Sequence, residues 1–178
     1  MTAQQDVLVL AGSVDELAGR LLVRLDAESS AQLPSRGQVA VELAGQLAGH
    51  VLVVEPDGRR GHWLPVDSTV LSALGLQAGQ HTSLEAKPAS QWPEVQLPQD
   101  FSAALQDAED LSATWAGLTP MARWEWVRWV SATKNPATRA RRVEVSISKL
   151  RDGKRRPCCF DLSSCTDAEL AKSGKLPL

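Results

Sequence analysis

Between Gly19 and Lys87, apolar residues recur at every second position or in short runs closed by turn residues, the signature of strands. Residues 21–25 (LLVRL) and Val39–Leu43 predict strands with alternate apolar side chains on one face. Leu47-Ala48-Gly49-His50 leads into a strand at 51–54, and Pro56-Asp57-Gly58 signals a turn. Residues 61–66 then return antiparallel as a hairpin. Asp67-Ser68-Thr69 caps one short helix through Val70, Leu71 and Leu74, which stops at Gly75. A last strand covers 82–86. Short strands with one small helix predict a small β-barrel.

Beyond Pro98 the period changes to that of helices. Phe101, Ala104, Leu105 and Ala108 share one helical face, and residues 111–115 extend or restart that helix up to Gly117. Thr119-Pro120 is an N-cap followed by proline at the first helical position. In the helix that follows, Trp124 and Val127 fall on one side and Trp126, Trp129 and Val130 on the other, so it is expected to be sandwiched between neighbours. Asn135-Pro136 breaks it, with Thr138 as a candidate cap for the next helix. Ala140, Val143, Ile147 and Leu150 form a helical stripe there, opposite Arg141, Arg142 and Lys149. The alternation of Val143, Val145 and Ile147 also fits a strand; the cap and the arginines favour helix. Asp152-Gly153 terminates it, leaving an irregular basic strip. The fold class expected is α+β, a small N-terminal β-barrel followed by a C-terminal helical bundle.

Charge divides the chain at the same place. Residues 1–97 hold 6 Lys/Arg against 11 Asp/Glu, and residues 98–178 hold 13 against 10. Pro88, Pro93 and Pro98 bracket a polar segment between them. The expected division is a barrel domain at 1–90, a proline-rich linker at 91–97, a helical domain at 98–160 and a tail at 161–178, mobile from 172 onward. The longest wholly apolar run, residues 7–11, is far short of a membrane span and lacks a basic stretch before it, so neither membrane insertion nor a cleaved export signal is expected. Three cysteines are an odd count for a disulfide framework and suit a reducing, cytoplasmic setting.

Catalytic chemistry has little to build on. The three histidines, His50, His62 and His81, lack metal-ligand spacing, no triad order is recognisable, and no Gly-rich phosphate loop is present. No enzymatic activity, catalytic residue or cofactor is expected. Cys158, Cys159 and Cys165 lack the paired spacing of zinc modules and are read as free thiols, with no metal. His62 beside Trp63 is a candidate ligand site in the barrel, weighed against an ordinary exposed hairpin histidine. The sharpest feature is the stretch 134–156, with nine basic and two acidic residues. Lys134, Arg139, Arg141, Arg142, Lys149, Lys154, Arg155 and Arg156 form a candidate polyanion or partner surface, because arginine forks suit phosphate and carboxylate oxygens. The alternative is that these charges pair internally, with Glu109, Asp110, Glu144 or the acidic half. The tryptophans read as core rather than as stacking platforms for bases.

Two stretches resemble known families. Residues 33–39 (LPSRGQV), Glu55-Pro56-Asp57-Gly58, Gly61-His62-Trp63, Leu74-Gly75-Leu76 and Gly79-Gln80 resemble a bacterial double-split β-barrel domain of unassigned function. The structural relatives of that domain include transition-state-regulator and antitoxin DNA-binding domains. Residues 120–126 (PMARWEW), 133–136 (TKNP), 138–142 (TRARR) and 153–157 (GKRRP) resemble the YdeI/OmpD-associated, or bacteriocin-protection, family. That resemblance implies a non-enzymatic module linked to stress and to resistance against bacteriocins or antimicrobial peptides, associating with an outer-membrane porin in some members. The expected partner is an anionic protein on the basic helical face. The rival is nucleic acid held by the same stretch, and a third reading is a small ligand in the barrel. Because relatives of the barrel bind DNA as swapped dimers, a homodimer is entertained.

Overall fold

The computed structural model describes residues 7–157 and 161–178. It separates into two compact units: Met1–Pro93 with Leu162–Cys165 and Lys172–Leu178, and Glu94–Asp161 with Thr166–Ala171.

The first unit is a closed six-stranded barrel, with strand order β1-β2-β5-β4-β3-β6 and antiparallel pairing throughout. The strands are β1 (Leu8–Leu17), β2 (Arg20–Leu25), β3 (Val39–Leu43), β4 (Val51–Pro56), β5 (His62–Pro65) and β6 (His81–Pro88). Helix α1 (Ala27–Ala31) follows β2, and α2 (Ser68–Leu74) follows β5. The strand expected at 21–25, the 51–66 hairpin and the Asp67-capped helix are all present; Asp67 accepts from Val70 N–H, and Gly75 ends α2 at φ 58°. Two elements were not expected. β1 lies in a region that suggested no strand, and α1 makes a second small helix.

Those two elements complete an internal duplication. The chain runs β-β-α-β twice, and exchanging β1 with β4, β2 with β5 and β3 with β6 reproduces the whole pairing order. The register agrees residue by residue: Leu25 matches Val66, the N-cap Asp26 matches the N-cap Asp67, and Leu43 matches Leu84. Inward positions are apolar in both copies. Leu10, Val14, Val23 and Leu25 meet Leu52, Val54, Leu64 and Leu84 in one core. Among the described residues, closure leaves no strand of the barrel at an edge.

The final residues, expected as a mobile tail, are held instead. Lys172 and Lys175 form a bridge, Leu176 is fully buried, and Leu176 N–H donates to Asp57 O at 2.8 Å. Arg59 Nε and Arg24 Nη2 donate to the carbonyls of Leu176 and Pro177. Gly58 permits this approach, for a Cβ there would stand 2.0 Å from Gly174 O, and its φ is +74°. Gly58→Ala is therefore expected to cost about 1–3 kcal/mol. Trypsin should cut at Lys172 and Lys175 sooner in the variant than in the wild type.

The second unit contains α3 (Gln99–Asp107), α4 (Ser112–Ala116), α5 (Pro120–Ser131) and α6 (Pro136–Arg151). Thr119 caps α5 through Ala122 N–H, as its sequence predicts. The cap of α6 is Asn135, which accepts from Thr138 N–H; Thr138 is the capped residue, not the cap. Residues 143–147 are helical, which settles the strand alternative. Phe101, Leu111, Leu118, Trp126, Val130, Val143 and Leu150 form the core.

Candidate functional site

The basic stretch occupies α6 and its exit, and most of its arginines are already engaged within the helical unit. Arg139 grips Asp100 with both Nε and Nη2, at 2.5 and 2.9 Å. Arg151 does the same to Asp110 at 2.8 and 3.0 Å. Arg156 makes a third fork onto Glu125, a carboxylate only 8% exposed. Such bidentate pairs fix geometry as well as charge. Their hydrogen bonds hold the Asp100 and Asp110 carboxyls below the ordinary range and raise the three guanidinium values further.

Arg142 is engaged differently. It donates to Trp129 O at 2.8 Å, and its guanidinium lies 5.6 Å from the centre of the Trp129 ring. Lys149 Nζ approaches the same ring at 5.7 Å, so one indole carries two cations. Lys134 pairs with Glu169 at 3.4 Å between exposed side chains. Arg141 meets Glu144 at 3.3 Å, but both are at least 70% exposed, a contact that solvent largely screens. Arg155 donates to Gly117 O and is otherwise exposed, as is Lys154. Among the described residues, Lys154 and Arg155 have no carboxylate partner.

Internal pairing was the alternative reading of this stretch, and Asp110 and Glu144 are among the acids it named. Asp100 and Glu125 were missed. Glu125 did leave a signal, because its position in α5 shares a face with Ala122 and Trp126, where an unpartnered carboxylate would be costly.

In the barrel, His62 and Trp63 separate onto opposite faces of β5, as neighbours in a strand must. His62 lines a cleft of about 520 Å³ together with Ser30, Ser35, Asp57, Arg59 and Arg60. Trp63 does not line it. The exposed-hairpin reading of His62 is corrected, for the residue is 2% exposed. Its backbone N–H donates to Ser30 Oγ at 3.1 Å, and its Nε2–H donates to Pro34 O at 2.9 Å. That bond places the proton on Nε2 and leaves Nδ1 a buried lone pair without a partner among the described residues.

Burial pushes the imidazole below its ordinary value, against the smaller opposing effects of the Pro34 hydrogen bond and the Asp57 charge. An unfolded chain takes up a proton as pH falls through about 6.5, where folded His62 stays neutral. The stability His62 contributes is thus complete above about pH 6.5 and declines as pH falls toward its folded value. Asp100 and Asp110 act only lower, because their depressed values keep them ionised across this window. Thermal melts should show a midpoint falling from about pH 7 to about pH 5.5, with a shallower slope in His62→Leu.

Cys165 is buried, while Cys158 and Cys159 lie outside the described residues. Among the described residues no group of His, Cys, Asp or Glu is arranged to hold a metal, and no helix is long and apolar enough to cross a membrane.

Comparison with known proteins bears on the helical unit. Residues 94–153 match the model of the family described as bacteriocin-protection, YdeI or OmpD-associated. No curated protein and no solved structure matches the chain significantly.

Proposed function

We propose, for a chain whose residues 94–153 match the model of the bacteriocin-protection, YdeI or OmpD-associated family, that it is a non-enzymatic binding protein acting in resistance to bacteriocins or antimicrobial peptides. Its partner on the helical unit is an acidic protein surface. The observation that carries this reading is the division of labour among the cations of α6 and its exit. Arg139, Arg151 and Arg156 are forked onto carboxylates and brace the helices. Arg141, Lys154 and Arg155 remain at the surface to meet a partner.

A handful of exposed cations suits a local acidic patch. A nucleic-acid backbone calls for a longer row of unpaired cations, each replacing condensed counterions. The sequence pI near 5.9 points the same way.

The test is survival of a bacterial strain lacking this protein when challenged with a cationic antimicrobial peptide or a bacteriocin. Expression of the wild type is expected to raise survival, and Lys154→Glu/Arg155→Glu is expected to abolish that gain while the purified variant melts at the wild-type temperature. Equal protection by both would remove the exposed cations from the account. No protection by the wild type would remove the function.

A further inference from the structure

The duplicated barrel contains its own control. Two clefts lie at equivalent places, each between the hairpin turn of one β-β-α-β copy and the helix of the other. The first cleft has Leu21, Leu71 and Leu76 in its lining, together with Glu16, Arg20 and Gln77. The residues that match the three leucines in the second cleft are His62, Ser30 and Ser35. Gly19, the residue before β2, has φ 73°; its counterpart before β5 is Arg60, also at φ 73°. At these four positions one backbone thus accepts leucines and a glycine in the first cleft, so folding does not demand the histidine, serines and arginine found in the second.

Two features of that polar set are unfavourable for an empty fold. Arg60 sits in the left-handed region, where a non-glycine residue is strained. His62 buries a lone pair that nothing among the described residues satisfies. Around them the cleft offers both signs of charge. The Nη groups of Arg59 remain after Nε binds Leu176 O, and Arg60 is exposed at the rim. Asp57 is 7% exposed; its Oδ1 accepts from the Arg59 and Gly61 backbone N–H groups. Ser30 Oγ accepts from His62 N–H and keeps its own proton to donate.

We infer that this cleft is a binding site for a small zwitterion of the amino-acid class. The ligand's carboxylate meets Arg59 and Arg60. Its ammonium group faces the Asp57 carboxylate, beside the wall that His62 lines. A cleft of about 520 Å³ is of metabolite size. The inference concerns the barrel alone and is independent of what the helical unit binds.

The experiment titrates the full chain with each proteinogenic amino acid, and with acetate and ethylamine as half-ligands. The readouts are thermal stabilisation and the ring ¹⁵N resonances of His62. At least one amino acid should stabilise the wild type and shift the His62 resonances, with neither half-ligand matching it. His62→Leu/Ser30→Leu installs the residues of the first cleft, so the barrel is expected to fold and the response to vanish. Arg60→Gly provides a second variant that relieves the backbone, and it should weaken binding about tenfold or more without lowering the unliganded melting temperature. The inference is overturned if no amino acid produces a response, or if the response survives in both variants.

Discussion

Trp126→Ala is expected to lose about 3–5 kcal/mol and to unfold the helical unit at moderate temperature. Trp126 is fully buried at the centre of that unit's core, among Phe101, Leu118, Val130 and Leu150. It does more than fill space. Its Nε1–H donates to Arg155 O at 3.1 Å, tying α5 to the strip that follows α6. Its ring meets Trp129 edge-on at 6.3 Å, and Trp129 in turn bears Arg142 and Lys149. Truncation therefore removes a large apolar volume and loosens the platform beneath two of the cations. Trp126→Phe keeps most of the volume and should cost clearly less. Loss of helical far-UV circular dichroism on heating checks both variants, with the alanine variant melting first.

Gly12→Ala is the corresponding expectation for the barrel, at about 3 kcal/mol or more. Gly12 lies mid-strand in β1, paired with Leu25 on one side and Thr82 on the other. A Cβ there would stand 2.0 Å from Arg24 O and 2.9 Å from Leu25 Cα, both of them backbone atoms that no side-chain rotation can move. To admit the methyl group, β1 must part from β2, and closure of the barrel depends on that pairing. Denaturant unfolding followed by strand-type circular dichroism should show the midpoint falling well below the wild type.

Gly12 also explains why β1 was not legible. Along that strand the inward positions are Leu10, Gly12 and Val14, so the alternation that marks a half-buried strand has a gap at its centre. α1 escaped notice for a related reason, because its buried residues are Ser29 and Ser30 rather than apolar ones. The duplication was hidden because the two copies share apolar character at core positions and little identity elsewhere. Val39–Leu43 and the caps at Asp67 and Thr119 were legible because each rests on local chemistry.

The ion pairs were only half legible. Arg139 and Asp100 lie 39 residues apart and Arg151 and Asp110 41 apart, so only the packed helices bring them together. His62 misled for the opposite reason. Its hairpin position suggested exposure, yet Ser30 and Pro34, around 30 residues earlier, close over it.

On the proposed function, the arginines of the basic stretch chiefly brace the helices, and the surface engages an acidic protein and not a nucleic-acid backbone. A salt-resolved titration against labelled single- and double-stranded DNA and RNA tests it most directly. No binding is expected at micromolar protein and near-physiological salt, and a lowered melting temperature is expected when Arg139 or Arg156 is replaced by alanine. Micromolar or tighter binding that weakens steeply with salt and disappears in Arg141→Ala/Arg142→Ala would contradict it.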